Sequence, residues 1–311
     1  MSHTRHLADL RSADGGTFGG KSATLGELIA AEIPVPPGFA VSTTAFRAFV
    51  DEAGLEGRIA SELGRMSPDD IESVGAASHA ISEAMRSAPI PEAIGEEVSS
   101  LYAELGAQSG IDEPPVAVRS SALGEDSQDA TFAGQQETYL WVRGAEHVCD
   151  AVRDCWVSLY SPPALTYRAR LGQSGEEPAM GVAVQLMVDA EVSGVMFTCN
   201  PVTGDPSMIA VNASWGLGLA VVGGEVTPDD YLVSKVTREI VREHVHEKDV
   251  EYLPDAAGRG AIRAEVPAER RSVPSLDKQS LDVLVDVGRR VERYFGAPQD
   301  VEWAIARGQS A

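Results

Sequence analysis

Residues 15–22 read GGTFGGKS, with Gly15, Gly20, Lys21 and Ser22 in the spacing G-x-x-x-x-G-K-[ST]. That spacing cradles phosphate only where a buried apolar strand runs into it and a helix leaves it, so the upstream residues decide which architectures remain open. Upstream stands HLADLRSAD, whose few apolar residues are scattered among charges. No later strand ends in an aspartate of the kind that completes such a site. Three readings stand. The motif is a phosphate loop of the nucleotide-hydrolase type, which this context argues against; or Gly15, Gly16, Gly19 and Gly20 form only a turn before a helix; or a flexible glycine loop brings Lys21 to a phosphate by another route.

Beyond the glycines, Leu25, Leu28 and Ile29 recur at helical spacing, with Ser22 as the expected cap and Pro34, Pro36 and Pro37 as the stop. IPVPPGFAVS reads as extended chain entering a short strand, and TTAFRAFVDEAG as a helix stopping at Gly54. Residues 55 to about 110 are polar and helix-prone, with turns at Ser67-Pro68 and Pro89-Ile90-Pro91. From Pro114 the character changes. VAVRSSA reads as a short buried strand ending in Arg119, followed by the acidic loop LGEDSQDATFAGQQ and a strand ETYLWV. Two helices, AEHVCDAVRDCWVSLYS and PALTYRARLG, lead to strands GVAVQLMV, GVMFTCN, MIAVNAS, YLVSK and REIVREHV. A final helix is expected from Leu276 to Phe295, then a strand DVEWAIA; DAAGRGA reads as a mobile surface loop. Helices and strands in this order predict an α+β chain.

Composition narrows the partners. At 311 residues the chain can hold two cores, and the expected division is 1–190 and 191–311. No segment approaches the ~20 apolar residues that cross a bilayer, and MSHTRHLADLRSADGG lacks the pattern of a secretory signal, which predicts a cytoplasmic protein with no membrane partner. A net charge of -22 repels polyanions, so no nucleic-acid partner is expected. Cys149, Cys155 and Cys199 lack C-x-x-C spacing and read as reduced, mostly buried thiols.

A small anion such as a nucleotide needs only local cations and a metal. Lys21 is a point charge, and Arg119 is a planar fork suited to bidentate phosphate contact; its alternative partners are Glu125 or Asp126. Asp300 and Glu302 stand two apart on a strand, so both carboxylates face one side, where they can share a hard cation, while Val301, Trp303 and Ile305 fill the other. His244 and His246 share a strand face but have no third ligand, which reads as a solvated pair.

FGGKSATLGELIAAEIPVPPGFAVST, VAVRSSALGEDSQDATFAGQQETYL, GVAVQLMV, SGVMFTCNPVTGD, WGLGLAVVGGEVTPDDYLV and PQDVEWAI together resemble, in order, the ATP-binding domain shared by phosphoenolpyruvate synthase, pyruvate phosphate dikinase and rifampin phosphotransferase. The resemblance implies an ATP-grasp-like fold in which two lobes clamp ATP. It implies that Lys21 and Arg119 are catalytic and contact the phosphates, and that Thr131, Gly134 and Gln135 lie in a phosphate-covering loop, Thr131 replacing a usual serine. An adenine hinge falls on Gln185, Leu186, Met187 and Val188, where a plain core strand is the other reading, and Asp300 and Glu302 hold Mg2+. In such enzymes the β-phosphoryl group of ATP passes to a histidine on a swivelling domain, leaving AMP and phosphate, and then to pyruvate or another acceptor such as rifampin.

None of the six histidines, His3, His6, His79, His147, His244 and His246, lies in a block resembling the phosphohistidine motif. A partner protein carrying the histidine and acceptor domains is therefore expected. The sequence departs from the resemblance at Leu219, where WGLG is usually followed by glutamate, and in reaching Ala311 before a strand that usually carries a glutamine and an arginine; Arg307 and Gln309 stand too close to Glu302 to replace them. The expectations are a component of a split phosphotransferase, a truncated form of a longer enzyme, or a non-catalytic nucleotide-binding protein.

Overall fold

The computed structural model describes residues 2–122, 137–170, 178–255 and 260–308. The chain divides into two compact units, Met1–Met187 and Val188–Ala311.

In the first unit β1 (Thr4–His6) leads through two short 3-10 turns, Leu7–Asp9 and Ser12–Asp14, to α1 (Gly15–Phe18) and α2 (Gly20–Ala30). The glycine run is thus largely helical, a finding at odds with the flexible loop and with the plain turn. Short turns rather than an apolar strand run into it, which removes the phosphate-loop reading. Only Gly19, at φ +84°, breaks the helix, and it caps α2 in place of Ser22, which sits buried inside the first turn. β2 (Gly38–Val41) precedes α3 (Thr43–Glu52), whose Ser42 cap accepts the Ala45 N–H. The polar stretch folds as α4 (Glu56–Arg65), α5 (Ile71–Ser87) and α6 (Glu92–Ser109), separated at the expected turns. Asp70 caps α5, and Gly110, at φ +69°, ends α6.

β3 (Val116–Ala122) runs three residues past Arg119, so the arginine lies within the strand rather than at its end. β4 (Thr138–Val142), α7 (Ala145–Ser158), α8 (Pro162–Arg170) and β5 (Met180–Leu186) complete the unit. Its sheet, ordered β1-β2-β5-β3-β4, is antiparallel throughout. One face, with Phe39, Val41, Val116, Val118, Val182 and Val184, packs on α3, α5, α6 and α7 around Trp156. On the other face Ala40 packs with Leu7, Leu10 and Phe18 beneath α2, where Leu25 and Ile29 join them.

The second unit begins with β6 (Ala190–Phe197) and β7 (Met208–Trp215), followed by α9 (Leu219–Val222), β8 (Asp229–Ser234) and β9 (Ile240–His244). β10 (Val250–Pro254) and β11 (Ala261–Glu265) pair as a hairpin where the sequence pattern gives no strand; within DAAGRGA, residues 256–259 lie outside the described residues. After α10 (Ala268–Arg271), α11 (Lys278–Phe295), capped by Asp277 and closed by Gly296, packs Leu281, Leu284 and Val285 onto the sheet. β12 (Asp300–Ala306) then pairs with β6, giving the antiparallel order β12-β6-β7-β8-β9. Gly194 of β6 leaves room for this stacking: a Cβ there would lie 2.9 Å from the Trp303 ring and 1.8 Å from the Asn212 carbonyl oxygen. The mixture of helices and antiparallel sheets agrees with the α+β expectation. Among the described residues no helix is long and apolar enough to cross a membrane.

Candidate functional site

Strand alternation sorts the first unit's candidates. On β3, Arg119 and Ser121 share the face that looks away from the main core, and antiparallel pairing sets them opposite Ala183 and Gly181 of β5. Gln185 lies opposite Ala117 on that same face, and the end of α1 covers the face at Gly181, where a Cβ would fall 2.2 Å from the carbonyl oxygen of Phe18. Lys21, in the first turn of α2, sends its Nζ 3.4 Å from the carbonyl oxygen of Ser120, the neighbour of Arg119. Both cations are half-buried, so their charges are partly stripped of water. The structure therefore brings Lys21, Arg119 and Gln185 to one face of one sheet.

Gln185 is buried, and its Nε2 donates to the carbonyl of Pro36 at 3.1 Å. Beyond it the amides of Leu186 and Met187 donate to the carbonyls of Pro37 and Pro115, each at 2.9 Å. A base edge at this hinge must then be met by groups other than those two N–H donors. Val188 opens the second unit. Thr131, Gly134 and Gln135, like Glu125 and Asp126, lie outside the described residues.

In the second unit Asp300 and Glu302 are exposed on β12, with Val301, Trp303 and Ile305 turned onto the α11 core, as alternation requires. Glu302 stands opposite Val195, Val195 opposite Asn212 and Asn212 opposite Asp230, so this row runs along the sheet face away from α11. Two carboxylates on one strand face fit a hard cation that keeps several waters. Among the described residues no cluster of three or more His, Cys, Asp or Glu side chains could hold a metal by itself. Leu219 opens the single-turn α9 and is partly exposed.

The thiols are free: Cys155 is fully buried and Cys149 and Cys199 half-buried. Burial pushes the Cys149 thiol up to about 11, and burial raises Cys155 too. His246 lies beyond β9; its amide donates to Asp229 and its Nδ1 sits 2.8 Å from the Pro228 carbonyl, which ties it to structure rather than to a ligand set. Sequence reading missed the Ser22–Ser121 contact, Ser22 N–H to Ser121 Oγ at 3.1 Å. The signal was present in the second serine of RSSA, which alternation places on the Arg119 side.

The sequence profile of the family described as "Pyruvate phosphate dikinase, AMP/ATP-binding domain" matches residues 16–311. The chain belongs to this family. Curated relatives point the same way. A probable phosphoenolpyruvate synthase of Methanocaldococcus jannaschii is 39% identical over 309 residues, which is 99% of this chain and 26% of that protein. A probable phosphoenolpyruvate synthase of Methanothermobacter thermautotrophicus is 41% identical, over 99% of this chain and 45% of its own length. The phosphoenolpyruvate synthase of Aeropyrum pernix is 41% identical over 92% of this chain and 38% of its own length. The chain thus spans between a quarter and just under half of these relatives of the pyruvate phosphate dikinase nucleotide-domain family.

Proposed function

We propose that this chain binds ATP as the nucleotide-binding component of a dikinase, in an ATP-grasp-like architecture in which residues 1–190 meet phosphate and adenine and residues 191–311 carry the metal carboxylates. The observation that carries the reading is the placement of Lys21, Arg119 and Gln185 on one sheet face. A triphosphate gathers negative charge on its non-bridging oxygens, and transfer is catalysed chiefly by holding and neutralising them. Arg119 offers a fork to two oxygens and Lys21 a point charge to a third. Gln185 to Val188 meet the base, and Thr131, Gly134 and Gln135 cover the phosphates. Asp300 and Glu302 would hold Mg2+, which supplies further neutralisation of the phosphate oxygens. A histidine nitrogen supplied by another domain attacks the β-phosphorus, AMP departs with the α-oxygen, and water later frees the γ-phosphate, so one ATP and one water give phosphohistidine, AMP and phosphate. Pyruvate is the acceptor proposed, since the relatives matched are phosphoenolpyruvate synthases.

Calorimetric titration of ATP with and without magnesium tests the reading. Lys21→Ala and Arg119→Ala are each expected to weaken ATP binding by about 10- to 100-fold, the range of a charge-assisted hydrogen bond of ~1.5–3 kcal/mol. Glu302→Ala is expected to abolish the gain from magnesium. Unchanged affinity in all three variants refutes the assignment. The partly exposed apolar Leu219 favours a second reading, nucleotide binding without turnover. Release of AMP when the chain is supplied with a phosphohistidine domain and pyruvate decides against that reading.

A further inference from the structure

An ammonium on a flexible four-carbon stem does not by itself choose one position, so its aim depends on how firmly the backbone beneath it is held. Beside Lys21, part of that hold comes from a side chain of β3. Ser121 Oγ accepts the Ser22 N–H at 3.1 Å and lies 3.3 Å from the Ser22 hydroxyl, both serines being fully buried. The contact is possible because residue 19 has no side chain: a Cβ there would fall 2.0 Å from the Ser121 carbonyl oxygen and 2.3 Å from its Oγ. Ser121 is also two residues from Arg119 on the same face of β3, so one strand carries the arginine and the anchor of the lysine.

We propose that Ser121 is a positioning residue for phosphate recognition, locking the first turn of α2 onto β3 so that Lys21 and Arg119 meet the same phosphates. The proposal rests on the reading that Lys21 binds phosphate. Replacing the hydroxyl leaves the Ser22 N–H buried without its acceptor, and the turn must shift to satisfy it.

The test is a double-substitution cycle read by ATP and adenosine titration on the whole chain. Ser121→Ala is expected to weaken ATP binding about tenfold while leaving adenosine affinity unchanged, since only the phosphate contacts depend on Lys21. In a Lys21→Ala background the same change is expected to cost nothing more. Where Ser121→Ala does not stay folded, Ser22→Ala, which keeps the amide and removes only the hydroxyl contact, takes its place with an expected loss of about threefold. Parental ATP affinity in Ser121→Ala beside a weakened Lys21→Ala overturns the proposal. So does an equal loss for ATP and adenosine, or a full further loss in the Lys21→Ala background. Unchanged ATP affinity in Lys21→Ala alone refutes the phosphate role of the lysine, and the role of Ser121 falls with it.

Discussion

Removing Asp229 should damage the second unit more than removing the lysine it pairs with. Asp229 and Lys248 are both fully buried, 2.6 Å apart. The two partners are unequally supported. Asp229 Oδ1 also accepts the His246 N–H at 3.0 Å, and Oδ2 accepts the Ser275 N–H at 2.8 Å and the Ser275 hydroxyl at 2.7 Å. Lys248 Nζ has, besides the carboxylate, the His246 carbonyl at 2.8 Å. Asp229→Leu therefore strands an ammonium in a dry interior, at a cost of about 3–5 kcal/mol. Lys248→Met leaves a carboxylate with three donors, a loss nearer ~1–3 kcal/mol. Changing both removes both charges and should be less costly than Asp229→Leu alone. Hydrogen exchange of the amides in 229–251 reads this locally. At about 1.4 kcal/mol per decade, Asp229→Leu should speed exchange roughly 100- to 1000-fold or more, and the double variant should recover part of that protection. Equal effects of the single changes, or a double change equal to their sum, would refute the argument from a stranded charge.

Two further outcomes follow from the first unit. Gly19→Ala places a Cβ 2.0 Å from the Ser121 carbonyl oxygen at a φ of +84°, and should lower stability by about 2–4 kcal/mol in urea denaturation. Gly16→Ala, with open space around its Cβ, should be neutral or stabilise by up to ~1 kcal/mol; the same loss at both positions would show that close approach to β3 is not what selects glycine. At the N-terminus, burial acts to raise the Glu97 pKa, but hydrogen bonds from the Ser2 and Thr4 hydroxyls and the His3 amide outweigh it and hold the carboxyl below its ordinary value of 4.5. A depressed folded pKa means that this anchorage is present above about pH 4.5 and is lost as the pH falls through the folded value. Exchange at Thr4–His6 should accelerate in acid relative to Glu97→Gln, and an identical pH profile in both proteins would rule the carboxylate out as the anchor.

What could be read from the sequence was what local chemistry dictates. The alternation of Asp300, Glu302 and Ala304 with Val301, Trp303 and Ile305 fixed the faces of β12, because period 2 admits only that division once the apolar set is buried. Helix caps were less legible: Ser22 was the expected cap of α2, whereas the oxygens that accept first-turn amides in α3 and α11 belong to Ser42 and Asp277, which the apolar spacing did not single out. Long-range contacts had no such signature. β10 and β11 pair with one another as strands, and AIRAE is partly exposed and charged, so no apolar period announced them. Asp229 and Lys248 are 19 residues apart among other charges, and nothing in DDYL or HEKD says that these two members are buried.

The glycine run shows how the two kinds of information compete. Its composition argues against helix, since each glycine costs roughly 1 kcal/mol relative to alanine in a helix interior. Yet the structure winds 15–18 and 20–30 into helices, because small residues let backbone approach backbone. A Cβ on Gly26 would sit 2.3 Å from the Leu10 carbonyl oxygen, and one on Gly19 2.0 Å from that of Ser121. Close approach thus explains Gly19, against β3, and Gly26, against Leu7 and Leu10, but not Gly16, whose surroundings are open. The motif spelling of a phosphate loop arises here for a different physical reason: the Ser22 amide, which a phosphate loop would turn to its ligand, is spent on Ser121. From the same turn the Lys21 side chain reaches the carbonyl oxygen of Ser120, on the strand that carries Arg119.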